Sequence, residues 1–360
     1  MIRLFHASDL HLGRLRKAQQ PLLHKALRTN LVQMFERAIE EKVDMILLAG
    51  DLLDNGSREP REELFLLDLF SRARSEGIDI FVCTGNHDSS IHARLWREHV
   101  HLFDSPDVKV IENENYRVVS QGHLPGKDLR STLDFPVFHD AKPTIALLHS
   151  QVYLGQIPKD AVYHPTSAKD LQSLQYDYIA LGHQHSFSVV SRSPLIVYSG
   201  SLSPLHPFDQ STSGYVDLTI GQEPIFVETT EVLFEERKIT LLSETHTAAE
   251  IYPHLLSLLR EDPRTFLRLT LEGTLSYQDK EGIDRLFKNL PEGRVAIRDR
   301  TVLIEEASSL PDEITESLET FVPRTTSALF HSSLEMQEIY RADPKRLMRI
   351  LEQALLKEES

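Results

Sequence analysis

The sequence predicts an α/β protein in which a second sheet packs on the first, followed by a small α+β unit and a helical C-terminal tail. Up to about residue 230, apolar runs typical of strands alternate with segments of helical periodicity. After His185 the segments become strand-rich and are separated by Ser, Pro and Gly. From residue 236 a new helix–strand–helix pattern begins, which favours a separate unit.

Within the first region, five apolar runs predict the strands of the main sheet. They are residues 2–5, 45–48, 80–82, 145–148 and 178–181. Two amphipathic helices separate the early runs, one marked by Leu31, Phe35, Ala38 and Ile39, the other by Leu66, Phe70 and Ala73. The second sheet is predicted from residues 188–191, 195–199, 215–220 and 225–231.

The remainder of the chain divides into two predicted parts. The small α+β unit is predicted to contain a helix, a strand, a second helix and a hairpin, in that order. The first helix carries Ile251, Leu255, Leu258 and Leu259, and the strand covers 266–271. The second helix carries Ile283, Leu286, Phe287 and Leu290, and the hairpin pairs Val295 and Ile297 with Val302 and Ile304. In the tail, Asp343 and Pro344 begin a helix whose stripe contains Leu347, Ile350, Leu351, Ala354 and Leu355. The predicted domains are residues 1–235, 236–308 and 309–360.

Composition limits the class of protein. The 360 residues are 41% apolar, without an apolar run near ~18 residues or a charged-then-apolar leader, so we expect a cytoplasmic protein that does not engage a membrane. The single cysteine, Cys83, excludes a disulfide framework within the monomer. A net charge of −15 argues against binding nucleic acid through the overall field.

Metal-ligand side chains recur in five short segments. These are Asp9-Leu10-His11, Gly50-Asp51-Leu52-Leu53-Asp54, Gly85-Asn86-His87-Asp88, His149 and Gly182-His183-Gln184-His185. Each follows or closes a predicted strand, so each candidate lies at a carboxyl end, where open α/β sheets have their ligand crevices. The ordered combination is much more specific than any one segment.

Two divalent ions ~3.5–4 Å apart need O and N ligands and an anionic group that bridges them. Aspartates, one amide and four imidazoles, without a thiolate, suit two Mn²⁺ ions, or Fe²⁺ or Zn²⁺, better than Mg²⁺. His87 follows Asn86 where it could protonate a leaving oxygen, and Asp88 could orient that imidazole. We therefore expect His87 and Asp88 to be catalytic.

These motifs resemble the calcineurin-like metallophosphoesterase superfamily, which implies a two-sheet sandwich flanked by helices. Carried over by residue, the resemblance implies a first ion held by Asp9, His11, Asp51 and His185. Asp51 would bridge to a second ion held by Asn86, His149 and His183, with His87 acting on the leaving group or on the charge of the transition state.

Segments 6–13 and 177–185, with Tyr198-Ser199-Gly200-Ser201, further resemble DNA-repair nucleases of the SbcD type. This resemblance implies an exonuclease and endonuclease on DNA that acts in double-strand-break repair as a homodimer with an SbcC-type coiled-coil ATPase. It also implies a small capping domain after the nuclease domain. Two departures stand out: Asp54 occupies the place of a histidine that helps to position DNA in some relatives, and Ser199 replaces a frequent proline or alanine.

Several alternatives remain at this stage. The same metal centre would suit a small-substrate phosphodiesterase or a protein phosphatase, and a non-catalytic scaffold is a third class, which the complete ligand set disfavours. Arg14, Arg16 and Lys17 could guide phosphates or be an ordinary solvated cluster. The apolar stripe of the last helix could pack on its own chain or dock on the ATPase.

Overall fold

The structure is a computed structural model, and it describes residues 1–14, 20–54, 60–88, 91–124, 127–130, 134–209, 211–229, 231–242, 248–291 and 293–304. Spatial proximity groups these residues into two compact units. The first contains Met1–Gly273 and Glu281–Thr301, and the second includes residues 274–280 and 302–304. The domain boundaries at 235 and 308 stay a prediction. Arg16, Lys17 and the predicted C-terminal helix lie outside the described residues.

Six helices occur among the described residues. They are α1 (Pro21–Glu40), α2 (Pro60–Ser75), α3 (Ala93–Trp96), α4 (Ala168–Ser173), α5 (Ala248–Glu261) and α6 (Tyr277–Phe287). The α1 helix begins with Pro21, whose missing N–H costs nothing in the first turn. Ser167 caps α4 by accepting a hydrogen bond from the backbone N–H of Asp170. The two helices predicted between the early strands are thus confirmed as α1 and α2.

The first large sheet has six strands. These are β1 (Arg3–Ala7), β2 (Met45–Ala49), β3 (Asp79–Cys83), β4 (His101–Phe103), β13 (Gly214–Thr219) and β14 (Ile225–Glu228). In space they follow the order β14-β13-β1-β2-β3-β4. The strands from β1 to β4 are parallel, whereas β13 and β14 add antiparallel strands beside β1. The carboxyl ends of β1, β2 and β3 therefore meet at one edge.

The second large sheet also has six strands. These are β5 (Lys109–Glu112), β6 (Arg117–Ser120), β7 (Thr144–His149), β10 (Tyr178–Gly182), β11 (Ser188–Arg192) and β12 (Leu195–Tyr198). They follow the order β11-β12-β10-β7-β6-β5, in which β6, β7, β10 and β12 are parallel. A short pair, β8 (Val152–Tyr153) and β9 (Thr166–Ser167), lies in the segment after β7.

The two sheets pack face to face as a sandwich with helices outside. On β2, Met45, Leu47 and Ala49 belong to the core between the sheets, while Ile46 and Leu48 belong to the core under the helices α1 and α2. The outer face of the second sheet has its own core with α4. Because central strands are buried on both faces, they appear in the sequence as continuous apolar runs. The predicted sandwich flanked by helices is confirmed, but the predicted allotment of strands is wrong: β7 and β10 belong to the second sheet, whereas β13 and β14 extend the first. Apolar runs show where strands lie and not which strands pair, because pairing is decided only when distant segments meet.

A third sheet contains β15 (Leu233–Leu242), β16 (Thr265–Ser276) and β17 (Val295–Ile304), in that order. The predicted hairpin at 295–304 is wrong, because these residues form the single strand β17. The sequence Arg298-Asp299-Arg300 lacks the Asn-Gly or Asp-Gly pair that a tight hairpin turn favours, so the alternating pattern continues as one strand. At one end of this sheet, Phe266 forms a small core with Leu23 of α1.

Among the described residues, the helices are all too short or too polar to cross a lipid bilayer.

Candidate metal centre

The predicted ligands converge because strand ends from both sheets meet. Asp9 and His11 follow β1, Asp51 follows β2, and Asn86 follows β3 in the first sheet. In the second sheet, His149 ends β7, and the remaining two, His183 and His185, follow β10. Parallel strands on each side place all of these residues at one edge of the sandwich.

Two glycines allow the strand ends to approach closely. A Cβ atom at Gly182 would lie 1.8 Å from the carbonyl oxygen of Ala49, which belongs to the opposite sheet. A Cβ atom at Gly85 would lie 2.2 Å from Oδ1 of Asp51. Any larger residue would clash there, so each glycine is needed to bring ligands from separate strands into contact.

The backbone of several ligands is strained. Asp9, His11, Asp51 and His183 have positive φ angles of 52°, 45°, 53° and 104°. Non-glycine residues adopt this region at a cost of about 1–3 kcal/mol each, and such residues cluster at functional sites. The turns after β1, β2 and β10 therefore keep a costly conformation that points their side chains inward.

Asp9, His11 and His185 form one group of ligand atoms, all within 4.8 Å of one another. Oδ1 of Asp9 lies 3.8 Å from Nε2 of His185. The other oxygen of Asp9 accepts hydrogen bonds from the Ser8 hydroxyl at 2.5 Å and from the His183 N–H at 3.0 Å. Ser199 in turn pairs its hydroxyl with that of Ser8 at 2.9 Å, which gives this sequence departure a supporting role beneath Asp9.

Asp51 lies between the two halves of the centre. Its Oδ2 atom is 3.6 Å from Nε2 of His11 and 3.5 Å from Nε2 of His149. Burial alone would raise the pKa of Asp51, but the His149 and His11 imidazoles outweigh burial and lower it. A carboxylate held anionic between two imidazole groups is placed as a bridging ligand requires.

The second half contains His149, Asn86 and His183. Nδ1 of His149 lies 2.9 Å from the Ala49 carbonyl oxygen, and its Nε2 lies 3.0 Å from Oδ1 of Asn86. A bond from Nδ1–H to a carbonyl is the usual way in which a metal-ligating histidine is oriented. The rings of His149 and His183 are 5.3 Å apart, and burial lowers the pKa of His183 to about 4, which favours its neutral, ligating form.

The donor set fits a pair of divalent ions. Asp9 Oδ1 and both ring nitrogens of His11 are buried without a hydrogen-bond partner among the described residues. Buried polar atoms normally have partners, so several unpaired atoms facing one small space indicate that something else binds there. The unpaired atoms are carboxylate oxygen and imidazole nitrogen, which are metal ligands.

His87 lies at the exposed side of this centre, next to His11, at a ring separation of 4.9 Å. Its Nδ1 atom is 3.1 Å from Oδ1 of Asp54. Asp54 also lies 3.7 Å from Nδ1 of His11, and the pKa of Asp54 is lowered chiefly by that neighbouring imidazole. The sequence had identified Asp54 as the end of a ligand segment and as a departure from relatives, and had given it no partner.

Asp88 does not orient His87 as the sequence suggested. Its Oδ1 atom accepts hydrogen bonds from the backbone N–H groups of Leu52 and Leu53, both at 2.9 Å, and Oδ2 accepts one from Gly85 at 2.9 Å. Three backbone donors occupy the carboxylate, because the tight turn after Gly85 directs it toward the loop after β2. Asp88 thus joins the Asp51 and Asn86 loops, and burial followed by Asp51 raises its pKa to about 6.

Of the predicted phosphate-guiding residues, Arg14 is described and is exposed. Its backbone N–H donates to the carbonyl oxygen of His11 at 3.0 Å, so it stands on the rim directly after a ligand. His123, which the sequence analysis did not assign, also lies beside the centre, with its ring 6.2 Å from that of His149. Only spatial proximity identifies His123, because nothing in its surrounding sequence matches a ligand motif.

This geometry defines a dinuclear phosphoesterase centre. The family model of calcineurin-like phosphoesterases matches residues 2–187, and the chain belongs to that family of metal-dependent phosphoester hydrolases. Its members use a dinuclear metal centre. Over 295 residues the chain is 29% identical to an uncharacterised metallophosphoesterase, YhaO, from Bacillus subtilis (strain 168), an alignment that covers 76% of this chain and 72% of YhaO.

Two solved structures are also similar. A dimetal phosphatase from Danio rerio aligns with 64% of this chain and 99% of its own, at 10% identity and a TM-score of 0.40. The Pseudomonas putida nuclease MPE aligns with 59% of this chain and 83% of its own, at 15% identity and a TM-score of 0.26. At these TM-scores the two structures bear on neither substrate nor mechanism.

Proposed function

We propose that this protein is a two-metal-dependent DNA phosphodiesterase, an exonuclease with endonuclease activity, that acts in double-strand-break repair with an SbcC-type coiled-coil ATPase. The observation that supports this chemistry most directly is the His87–Asp54 pair, 3.1 Å apart, beside the centre. A DNA diester has an alkoxide leaving group, which needs a proton as it departs, and His87 is placed to supply one. The motif resemblance to SbcD-type nucleases supports DNA as the substrate.

In this proposal, Asp9, His11 and His185 hold the first ion, and Asn86, His149 and His183 hold the second. Asp51 would bridge them, in keeping with its 3.6 Å and 3.5 Å distances to the imidazoles on either side. The bound ions supply Lewis acidity and a positive charge where the phosphate docks. That local charge opposes the overall −15 of the chain.

The residues of the chain itself perform the proton transfer and hold the substrate. His87 donates a proton to the leaving oxygen, and Asp54 stabilises the charged imidazole and keeps its orientation. The side chains of His87 and His185 are 36% and 40% exposed, so the substrate has access from this side. Arg14 stands on the same rim and contacts the phosphate backbone.

Mn²⁺ is the proposed metal, with Fe²⁺ or Zn²⁺ as substitutes, since the centre is rich in imidazole. We further propose a homodimer in the cytoplasm. The partner proposal concerns the C-terminal region and is tested by co-purification of the full chain and of a chain that ends at residue 342 with the ATPase. Loss of the ATPase from the shorter chain, with cleavage retained, is the expected result; equal capture by both chains contradicts docking through that helix.

The decisive experiment compares substrates. Purified protein is incubated with linear 3′-ended DNA, closed circular DNA, cyclic nucleotides, bis(p-nitrophenyl) phosphate and phosphopeptides, each with Mn²⁺, Fe²⁺, Zn²⁺ or chelator. We expect Mn²⁺-dependent cleavage of DNA and of the diester probe, absent from an Asp51→Ala variant. Turnover of phosphopeptides or cyclic nucleotides that greatly exceeds turnover of DNA contradicts the proposal.

The net charge of −15 favours a second candidate, a phosphodiesterase for small substrates or a protein phosphatase. A small anionic substrate needs only the charge of the ions, whereas duplex DNA also contacts the surrounding surface. The same set of substrates separates the two candidates, because a small-substrate enzyme retains the diester probe and fails on DNA at every salt concentration.

A further inference from the structure

His123 lies in the loop that follows β6, on the second-sheet side of the metal centre. Its ring is edge-on to that of His149, with the planes at 80° and the centroids 6.2 Å apart. No role in the proposed chemistry has been assigned to it. Its surroundings, however, differ from those of an ordinary loop histidine.

The backbone of His123 is attached to the loop that bears Asn86. Its N–H donates to the carbonyl oxygen of Thr84 at 3.1 Å and lies 3.2 Å from the Thr84 hydroxyl oxygen. A Cβ atom at Gly122 would lie 2.6 Å from that hydroxyl oxygen, so only glycine allows this approach. Thr84 immediately precedes the Gly-Asn-His-Asp segment, and His123 is thereby fixed relative to the second ion's ligands.

The residues on both sides of His123 are anchored as well. Arg130 donates from Nη2 to the Gly122 carbonyl oxygen at 2.6 Å, and the Leu124 N–H donates to Asp128 at 2.9 Å. Asp128 is fully buried and pairs with Arg130. Removing an ion pair of this kind is costly, so these contacts hold Gly122 and Leu124, the two neighbours of His123, in place.

The side chain of His123 has a defined tautomer. Its Nδ1 lies 2.6 Å from the Leu124 carbonyl oxygen. A carbonyl only accepts, so Nδ1 carries the hydrogen, and the neutral ring has its lone pair on Nε2. Nε2 is buried and has no hydrogen-bond partner among the described residues. A buried acceptor of this kind normally binds a donor.

The ring of His123 is farther from His149 than the rings of paired ligands are from each other. The pairs His11–His185 and His149–His183, which share an ion in the proposed function, are 5.3 Å apart in both cases. His123 is 6.2 Å from His149. The lone pair on Nε2 requires a hydrogen-bond donor or a cation, and ionised phosphate oxygens are neither. A water molecule supplies the O–H that fits.

We propose that His123 is a positioning residue whose Nε2 accepts a hydrogen bond from a water molecule on the His149 side of the centre. This inference rests on the proposed function only in needing ions at the predicted ligands, and it is independent of whether DNA is the substrate. His123 orients that water and, through it, strengthens retention of the second ion.

Two amide variants of different length test this role. In His123→Asn, the amide retains a donor for the Leu124 carbonyl but lacks an acceptor at the Nε2 position. In His123→Gln, the longer amide places an acceptor near that position. We expect the Asn variant to lose about 10–100-fold in kcat on bis(p-nitrophenyl) phosphate with KM unchanged, as is typical when a residue behind a metal site is lost. The Gln variant should recover most of the loss.

The second measurement does not depend on turnover. Calorimetric titration with Mn²⁺ should show weaker binding of the second equivalent in His123→Asn, by about 10-fold, and near-normal binding in His123→Gln. Melting temperatures should be equal in both variants. Equal losses in the two variants, or wild-type Mn²⁺ affinity and kcat in His123→Asn, overturn the proposal. If the wild-type protein cleaves no DNA, the proposed function fails, whereas the Mn²⁺ titrations still decide the role of His123.

Discussion

Asp54 Oδ1 lies 3.1 Å from Nδ1 of His87, at the solvent-facing side of the metal centre. The carboxylate thus stands where it can stabilise a charged imidazole and fix its rotation. Asp88, the neighbour of His87 in sequence, instead accepts three backbone hydrogen bonds. The carboxylate that lies beside the His87 ring therefore comes from 33 positions away in the chain.

The first prediction concerns this pair. His87→Ala should retain both ions and lose ~10²–10⁴-fold in kcat, because proton transfer to the leaving group is removed. Asp54→Asn should lose less, about 10-fold, equivalent to ~1.4 kcal/mol. In the double variant, the Asn substitution should add little, since Asp54 acts through His87. Independent, multiplying losses would contradict this dependence, and metal analysis of each variant is the control.

The second prediction concerns the ligands. Asp51→Ala should lower the metal content at both sites, because its carboxylate lies between His11 and His149. Asn86→Ala should weaken mainly the second equivalent. Elemental analysis after dialysis against limiting Mn²⁺ provides the measurement. Two full equivalents in Asp51→Ala would show that this carboxylate does not bridge.

The third prediction concerns the contact between the two sheets. Gly182→Ala should destabilise the protein by at least ~1–3 kcal/mol, since its Cβ would lie 1.8 Å from the Ala49 carbonyl oxygen. Gly155→Ala is the matched control, because a Cβ there meets nothing within 4 Å. Urea denaturation of both variants measures the difference. Equal midpoints would mean that the sheets separate at Gly182 without cost.

The fourth prediction concerns pH. His6 is fully buried and bonded to the Tyr178 hydroxyl at 2.7 Å, and burial lowers its pKa from 6.5 to about 3. Between these values the unfolded chain binds a proton that the folded chain excludes, so the free energy of unfolding falls as pH drops through this window. One such group contributes up to ~1.4 kcal/mol per pH unit.

Replacing His6 by Gln should therefore flatten the pH dependence of stability between pH 6 and pH 4 by about one proton. The exposed His139 supplies the control, and His139→Gln should leave the slope unchanged. Denaturant titrations across this range are the measurement. An identical slope in His6→Gln would mean that His6 is charged in the folded state.

The fifth prediction concerns DNA binding. Neutralising Arg14, Arg16 and Lys17 together should weaken binding and reduce the slope of log K against log salt by up to about three. A control set is Lys42, Arg72 and Arg74, which are exposed; α1 and α2 end at the opposite edge of the sheet, where Arg74 pairs with Asp79 at the start of β3. Equal salt slopes for both sets of variants would mean that Arg14, Arg16 and Lys17 make no specific contribution to DNA binding.

Much of the fold could be predicted because central parallel strands appear as largely apolar runs, and the runs of β2, β3 and β10 lead into a glycine. This pattern identified β1, β2, β3, β7 and β10, and with them the strand ends that carry the ligands. The antiparallel strand β5 went unrecognised, since it is mostly exposed and lacks a buried face. The hairpin at 295–304 was wrongly predicted because alternation alone does not show where a strand turns.

Some site residues could be predicted from the sequence and others could not. Ligands in compact motifs could be found from the sequence, because each motif combines a strand end with its ligand. Asp54 and His123 could not be given partners, since these arise from loops that meet only in the folded chain. Asp88 shows that neighbours in sequence need not interact: it follows His87 directly, but its carboxylate accepts hydrogen bonds from Leu52 and Leu53.

The Asp88 carboxylate determines whether the ligand loops become ordered during folding or during metal binding. By holding the turns after β2 and β3 together, Asp88 fixes the loops of Asp51 and Asn86 while the chain folds. The loss of loop entropy then belongs to folding and is not repeated when ions arrive. Ions therefore meet a cage whose geometry is already set, and ordering of these two loops does not weaken their binding.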